Sequence, residues 1–237
     1  MRNEITVGYE GIFRGEETKI PRINLEDAKL IFNARKAGPA NFNDLRNGSY
    51  GEGFRMATMP ELIHLIKNKD ERIFEPMSEY GLSGNNIIIP IKTGIYIVDN
   101  PLKDQMDLNY LKCQLGDHEE GGVIFSRDKK IRFVQNGYKL GVQSLQDLIK
   151  NPVTIALAKG EKNASQLESI PDILKKENHY LWIRQEFYPE NTNPNEIVGF
   201  VPNLKFIFNN QLSIVANNSP DFGNSYTFGV KNLEAAL

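Results

Sequence analysis

A chain of 237 residues, 40% of them hydrophobic, is long enough to bury a core without help from disulfides or metals. Its 28 Lys and Arg nearly balance 30 Asp and Glu, leaving a formal net charge of -2, so no global field is present to hold nucleic acid or an anionic membrane. One cysteine, Cys113, excludes an intrachain disulfide framework and any Cys-x-x-Cys redox or zinc motif, in keeping with a compartment that does not form disulfides. The longest apolar run, "IIIPI" at 87–91, falls well short of the ~18 residues of a membrane-spanning helix. The N-terminus "MRNEITVGYEG" carries no signal-peptide core, so the expectation is a soluble, cytoplasmic protein, or one whose signal has been removed.

In chain order, "NLEDAKLIFNARKAG" predicts a first helix: Asn24 can cap, Glu26 and Asp27 lie in the first turn, Leu25, Ala28, Ile31 and Phe32 recur at helical spacing, and Gly38 can close the end. "GFRMATMPELIHLIKNK" then predicts a second helix, running from a Thr58 cap to about Asn68. Thr58 can accept from the Glu61 amide, Glu61 can reach back to the Thr58 amide, and Pro60 sits in the first turn where its missing N–H costs nothing. Leu62, Leu65 and Ile66 form the expected buried stripe, and His64 falls between them. "NNIIIPIKTGIYIVDN" reads as a hairpin around Thr93 and Gly94, with Pro90 confined to an edge or bulge. "IRFVQNGYKLGV" reads as a hairpin whose two-residue turn is Asn136–Gly137, because both can take positive φ. "SLQDLIK" from Ser144 and "SIPDILKKEN" from Ser169 each place Asp three residues after a serine cap. "HYLWIRQEFY" adds a strand, and "KFIFNNQLSIVA" a hairpin around Asn209 and Asn210. The fold class is therefore α+β, a mostly antiparallel sheet with hairpins and a few capped helices. The chain reads as a single domain over 1–237, and the seam, should it divide into two lobes, is "ALAKGEKNASQ" at 156–166.

The order of "LEDAKLIFNARKAG", a Gly-rich connection and "GFRMATMPELIHLI" resembles C-type-lectin-like folds, in which a first helix precedes a segment of the W-R-L-P-T-x-x-E-L kind. Such segments occur in formylglycine-generating-enzyme-like domains. The likeness covers residues 24 to 66; Phe54 stands for the aromatic, Met56 for Leu and Ala57 for Pro. It implies a mixed domain with two helices and a twisted antiparallel sheet whose loops bind a partner. The oxidase branch of that superfamily needs a pair of reactive cysteines, and Cys113 is alone. Calcium-dependent sugar binding in lectins resembling this fold uses E-P-N or Q-P-D with W-N-D, against which this chain offers "EPM" (75–77), "NPN" (193–195) and "SPD" (219–221).

Chemistry-bearing patterns are sparse. "DHEEGG" places His118 beside Asp117 and Glu119, and these three are the candidate metal ligands, although neighbours on an extended chain point opposite ways. "GEGF" and "GLSGNN" lack phosphate-loop spacing, and no Gly-x-Ser-x-Gly elbow is present. No cofactor is expected. Asn occurs 10 times in residues 191–237 and 15 times in the preceding 190, between aromatics in "YPENTNPNE" and "ANNSPDFGNSY". Turns account for much of this, and adaptable binding surfaces use the same composition. Some C-type-lectin-like proteins concentrate diversified, Asn-rich positions near the C-terminus, and this tail is similar. The expectation is a non-enzymatic module binding a protein or glycan through Tyr188, Asn193, Asn218, Phe222 and Tyr226. A small-molecule or metal-dependent enzyme and a structural protein of a virus or complex are the rival classes.

Overall fold

The computed structural model describes residues 22–25, 28–67, 71–101, 107–170, 178–184, 199–207, 211–221 and 223–233. In chain order these form β1 (Arg22–Leu25), β2 (Leu30–Ala40), α1 (Phe42–Asn47), β3 (Arg55–Met56), α2 (Met59–Lys67), α3 (Glu71–Glu79), β4 (Leu82–Ser83), β5 (Asn86–Ile91) and β6 (Gly94–Asp99). Then follow α4 (Leu108–Gln114), β7 (Leu115–Glu120), β8 (Val123–Ser126), β9 (Ile131–Gln135), β10 (Gly141–Gln143), α5 (Leu145–Lys150), α6 (Pro152–Ala158), α7 (Glu161–Ala164) and a 3-10 turn, Ser165–Ser169. The chain ends on β11 (His179–Ile183), β12 (Val201–Ile207), β13 (Gln211–Asn218) and β14 (Ser225–Asn232). A large sheet runs β1-β2-β14-β4-β12-β13-β11-β10, with β3 also on β14, and a five-stranded sheet runs β5-β6-β9-β8-β7. Among the described residues β11·β13 and β14·β4 pair in parallel and every other named pair is antiparallel, so the fold is α+β with the mostly antiparallel character that the hairpin signals predict.

The apolar run in β5 is explained by burial on both faces. Ile87, Ile89 and Ile91 enter one cluster with Tyr96, Val98, Phe42 and Leu45, while Ile88 enters the larger cluster with Ile95, Ile97, Val123, Phe125 and the α5–α7 helices. β5 is the edge of the small sheet, so Pro90, which has no N–H to give, sits where the expectation placed it. Among the described residues the outward edge of β5 is used where Ile88 and Phe200 exchange backbone hydrogen bonds at 2.8 and 2.6 Å and fasten the small sheet to the approach to β12.

Helix α2 forms as expected, and Leu62, Leu65 and Ile66 are all 0% exposed. Its entrance differs in detail. The Thr58 amide donates to Glu61 Oε2 at 2.7 Å, the expected return bond, but the Thr58 hydroxyl also donates to that oxygen at 2.8 Å instead of accepting from the Glu61 amide. Ser144 caps α5 and accepts from the Asp147 amide, as predicted. The "SIPDIL" helix falls largely outside the described residues.

Three expectations are corrected. The described part of residues 24–38 is strand and not helix: Asn24 and Leu25 of β1 pair antiparallel with β2, with Leu25 opposite Leu30 and Lys29 at φ 51 just before β2. Tertiary pairing overrides the helical spacing here, because β2 lies between β1 and β14, and Ile31 and Phe32 are buried on opposite faces of it. Gly38 is a bulge in β2, where an added Cβ would lie 2.5 Å from the Ser225 carbonyl oxygen. The Asn136–Gly137 hairpin does not form: β9 pairs with β6 and β8, whereas β10 pairs with β11, so the chain crosses from the small sheet to the large one at this point. The turn after β5 is Lys92–Thr93, with Ile91 opposite Gly94. Gly94 is required by close approach, since a Cβ would stand 2.1 Å from the Val134 carbonyl oxygen. The β12–β13 hairpin forms, with Ile207 opposite Gln211; its turn lies outside the described residues. The 156–166 stretch is helical, with Ala156, Ala158 and Ala164 buried.

Candidate functional site

The α2 entrance, the exit of β6, the β8–β9 turn and the end of α6 meet around a cleft of about 480 Å³. Its walls come from short segments held by a run of backbone bonds starting on the central strand β14. Ala57 donates to the Phe228 carbonyl at 3.0 Å, Asn85 to the Ala57 carbonyl at 2.8 Å, and Asn100 to the Asn85 carbonyl at 2.9 Å. Two non-glycine residues with left-handed φ stand on this wall, Asn100 at 44° and Lys159 at 63°. Asn tolerates that region, but Lys159 occupies a helix C-cap where glycine is the low-strain choice. A strained position held by its surroundings is the kind of place where function concentrates.

The lining sets the apolar Phe54 and Met56 beside polar side chains, and its charge is predominantly cationic. Arg46 projects from α1 and donates to the Pro101 carbonyl, and Tyr50 donates its hydroxyl to the Leu45 carbonyl. Burial pushes the Tyr50 phenol far up, so it stays neutral. Arg55 grips Glu61 through both carboxylate oxygens at 2.9 and 2.6 Å. This bond raises the Arg55 pKa. Burial alone would raise the Glu61 carboxyl, yet the Arg55 hydrogen bond and charge together with the two Thr58 bonds outweigh it and hold Glu61 below the usual carboxylate range. Beneath the cleft Asp99, 8% exposed at its side chain, takes Arg132 at 2.7 Å and Lys159 at 2.5 Å. Arg132 is 0% exposed and also donates to the Lys129 and Lys130 carbonyls at 2.8 and 3.1 Å. Lys130, at the rim, lies 3.3 Å from Asp128. Five cations, Arg46, Arg55, Lys130, Arg132 and Lys159, thus answer to three carboxylates, Asp99, Glu61 and Asp128, which leaves a local charge of +2 on a chain whose overall balance is -2.

Of the five residues singled out by composition, the described ones are Asn218 and Tyr226. Tyr188, Asn193 and Phe222 lie outside the described residues. Asn218, half-buried at the end of β13, packs against Gly223, whose Cβ would come within 2.4 Å of its side chain. Tyr226 lies in strand β14 and not in a loop, and is 5% exposed. Its hydroxyl donates to Glu79 at 2.6 Å, and Lys36 sits 4.4 Å over its ring. At Tyr226 the expectation of an exposed loop contact is therefore corrected: the alternation that runs through β14 turns this ring into the packed interior. The turn after Asn218 is tied to α1, with the Asn43 side chain donating to Asp221 at 2.6 Å.

Asp117, His118 and Glu119 sit exposed on β7, an edge strand, where successive side chains alternate between faces. His118 lies 3.6 Å from Glu120, whose carboxylate already accepts the Glu161 amide at 2.7 Å. No group of three His, Cys, Asp or Glu side chains that could hold a metal ion is found among the described residues. Among those residues no helix is long and apolar enough to cross a membrane.

The α2 segment resolves in an unexpected way. Its helix is scaffold, but Phe54, Arg55, Met56 and Thr58 just before the helix line the cleft. Arg46, Asp99 and Lys159 carried no sequence signal as a group, since they are separated by 53 and 60 positions and are assembled only by the two sheets.

No protein-family model matches the chain, and no curated protein matches it. A solved structure from work on how the C-type lectin fold accommodates massive sequence variation in Nanoarchaeota is similar to it, with a TM-score of 0.54 at 14% sequence identity, over 83% of this chain and 97% of that one. The likeness reaches far beyond residues 24–66, and it survives although the first predicted helix is a hairpin. The chain therefore has an α+β fold of the C-type-lectin-like kind.

Proposed function

We propose that the protein is a non-enzymatic recognition module that seats a group of its ligand in the cationic cleft. The observation that carries this reading is the chemistry of the lining: guanidinium, ammonium, amide and hydroxyl groups beside the apolar Phe54 and Met56, with no His or Cys among the described lining residues. Asp99, the one carboxylate among the described lining residues, is engaged by two cations and is poorly placed to act as a base. A concave, pre-formed site with convergent polar groups is what a binding protein needs. The solved relative in fold is one that accommodates massive sequence variation, which fits a scaffold that keeps its sheets and alters its surface. A larger protein or glycan partner would also meet the Asn-rich tail, with Tyr188, Asn193 and Phe222 as its contacts.

A thermal-shift screen over neutral and acidic sugars, carboxylates and phosphates tests the proposal, since a ligand at 100 times its Kd stabilises by about 2.7 kcal/mol. A hit that is recovered chemically unchanged supports recognition. Conversion of a hit into product would show an enzyme instead.

A further inference from the structure

Resting on the cleft as the ligand seat, we infer that the group it takes is an oxyanion, a carboxylate or a phosphate. Three facts converge. Among the described residues the Arg46 guanidinium is met only by the neutral Pro101 carbonyl, so most of its five N–H donors and its whole charge are uncommitted. Asp99 is shared between Arg132 and Lys159, so one of these two charges is left over; Arg132 is fully buried, and Lys159, a quarter exposed, is the one that can turn toward a ligand. Lys159 also holds a backbone conformation in which glycine would be less strained, so its ammonium is presented from a strained turn at the cleft wall. A planar guanidinium pairs with carboxylate or phosphate through two parallel bonds, and an ammonium adds a third donor from another direction. Uncharged ligands would leave this excess charge without a partner in a concave, partly desolvated place.

The test is a titration of the intact chain, followed by 15N–1H spectra, with sodium phosphate, sodium acetate and glucose as separate probes at constant ionic strength. Saturable shifts at the amides of residues 46, 55, 100 and 159 with phosphate or acetate are expected, and whichever anion binds tighter identifies the source chemistry. In Arg46→Gln and Lys159→Asn the affinity should fall at least tenfold; Asn is chosen because it accepts the left-handed backbone. If either variant fails to fold, Lys130→Gln at the exposed rim supplies a folded variant with a smaller loss. Unchanged affinity in folded variants, or no saturable shift with either anion, overturns the oxyanion assignment. Glucose moving the same amides while both anions do not would overturn it too, yet leave the cleft as a recognition site; silence from all three probes would count against both.

Discussion

Asp99→Ala gives the sharpest energetic test of how the cleft is built. Arg132 is 0% exposed, and of its described partners two are backbone carbonyls and only Asp99 brings negative charge. Removing that carboxylate strands a buried guanidinium, and breaking a buried pair from one side costs about 3–5 kcal/mol. Lys159 adds little to this figure, because its partly exposed ammonium can turn to water. For a chain of this size about 1 kcal/mol moves Tm by about 2–4 °C, so the expected loss is about 6–20 °C. Asp99→Asn keeps the shape and one acceptor and should lose less. Calorimetry or urea unfolding reads both. An Asp99→Ala protein within about 1 kcal/mol of wild type would mean that Arg132 is served by other groups and that the charge count at the cleft is wrong.

Further outcomes follow from individual contacts. Thr58→Ala removes the hydroxyl bond to Glu61 and should cost about 1 kcal/mol in urea unfolding, while leaving the α2 stripe packed. Because the folded Glu61 carboxyl lies below its unfolded value of about 4.3, its contribution is fully present above that pH and is lost as pH falls through the lowered folded value; Glu61→Gln should flatten that acid limb. Tyr226 moves the other way: its bond to Glu79 and burial push the phenol up to about 12, so its contribution holds below pH ~10 and fades as pH rises toward 12, and Tyr226→Phe should remove this alkaline limb at a cost of about 1 kcal/mol at neutral pH. Gly94→Ala should lower Tm by several degrees, because its Cβ would meet backbone in β9 and not a side chain that can move aside; an unchanged Tm would argue against the β6–β9 register.

What could be read in advance was local. The α2 entrance, the Ser144 cap, Pro90 at an edge and the β12–β13 hairpin each depend on residues within a few positions of one another, and each is present. The same chemistry marks elements that went unread: Asn41 caps α1 with Asp44 three residues on, Asp107 caps α4, and Asn151 followed by Pro152 opens α6. The failures are non-local. Residues 24–38 satisfy helical spacing, yet β2 is held as a strand between β1 and β14, the latter some 200 positions away. Asn136–Gly137 has the composition of a tight turn, but β10 finds a better partner in β11. The cleft was illegible for the same reason, because its charges become neighbours only when the small sheet docks at the mouth of α2.

The account stands most directly on where a ligand binds. With the strongest hit of the thermal-shift screen added to 15N-labelled protein, the perturbed amides should cluster at 46–58, 85, 99–100, 130 and 159, around the cleft of about 480 Å³. Perturbations confined to the Asn-rich tail, or to the stacked pair of half-buried Tyr180 and exposed Trp182 on β11, with the cleft amides unmoved, would contradict it.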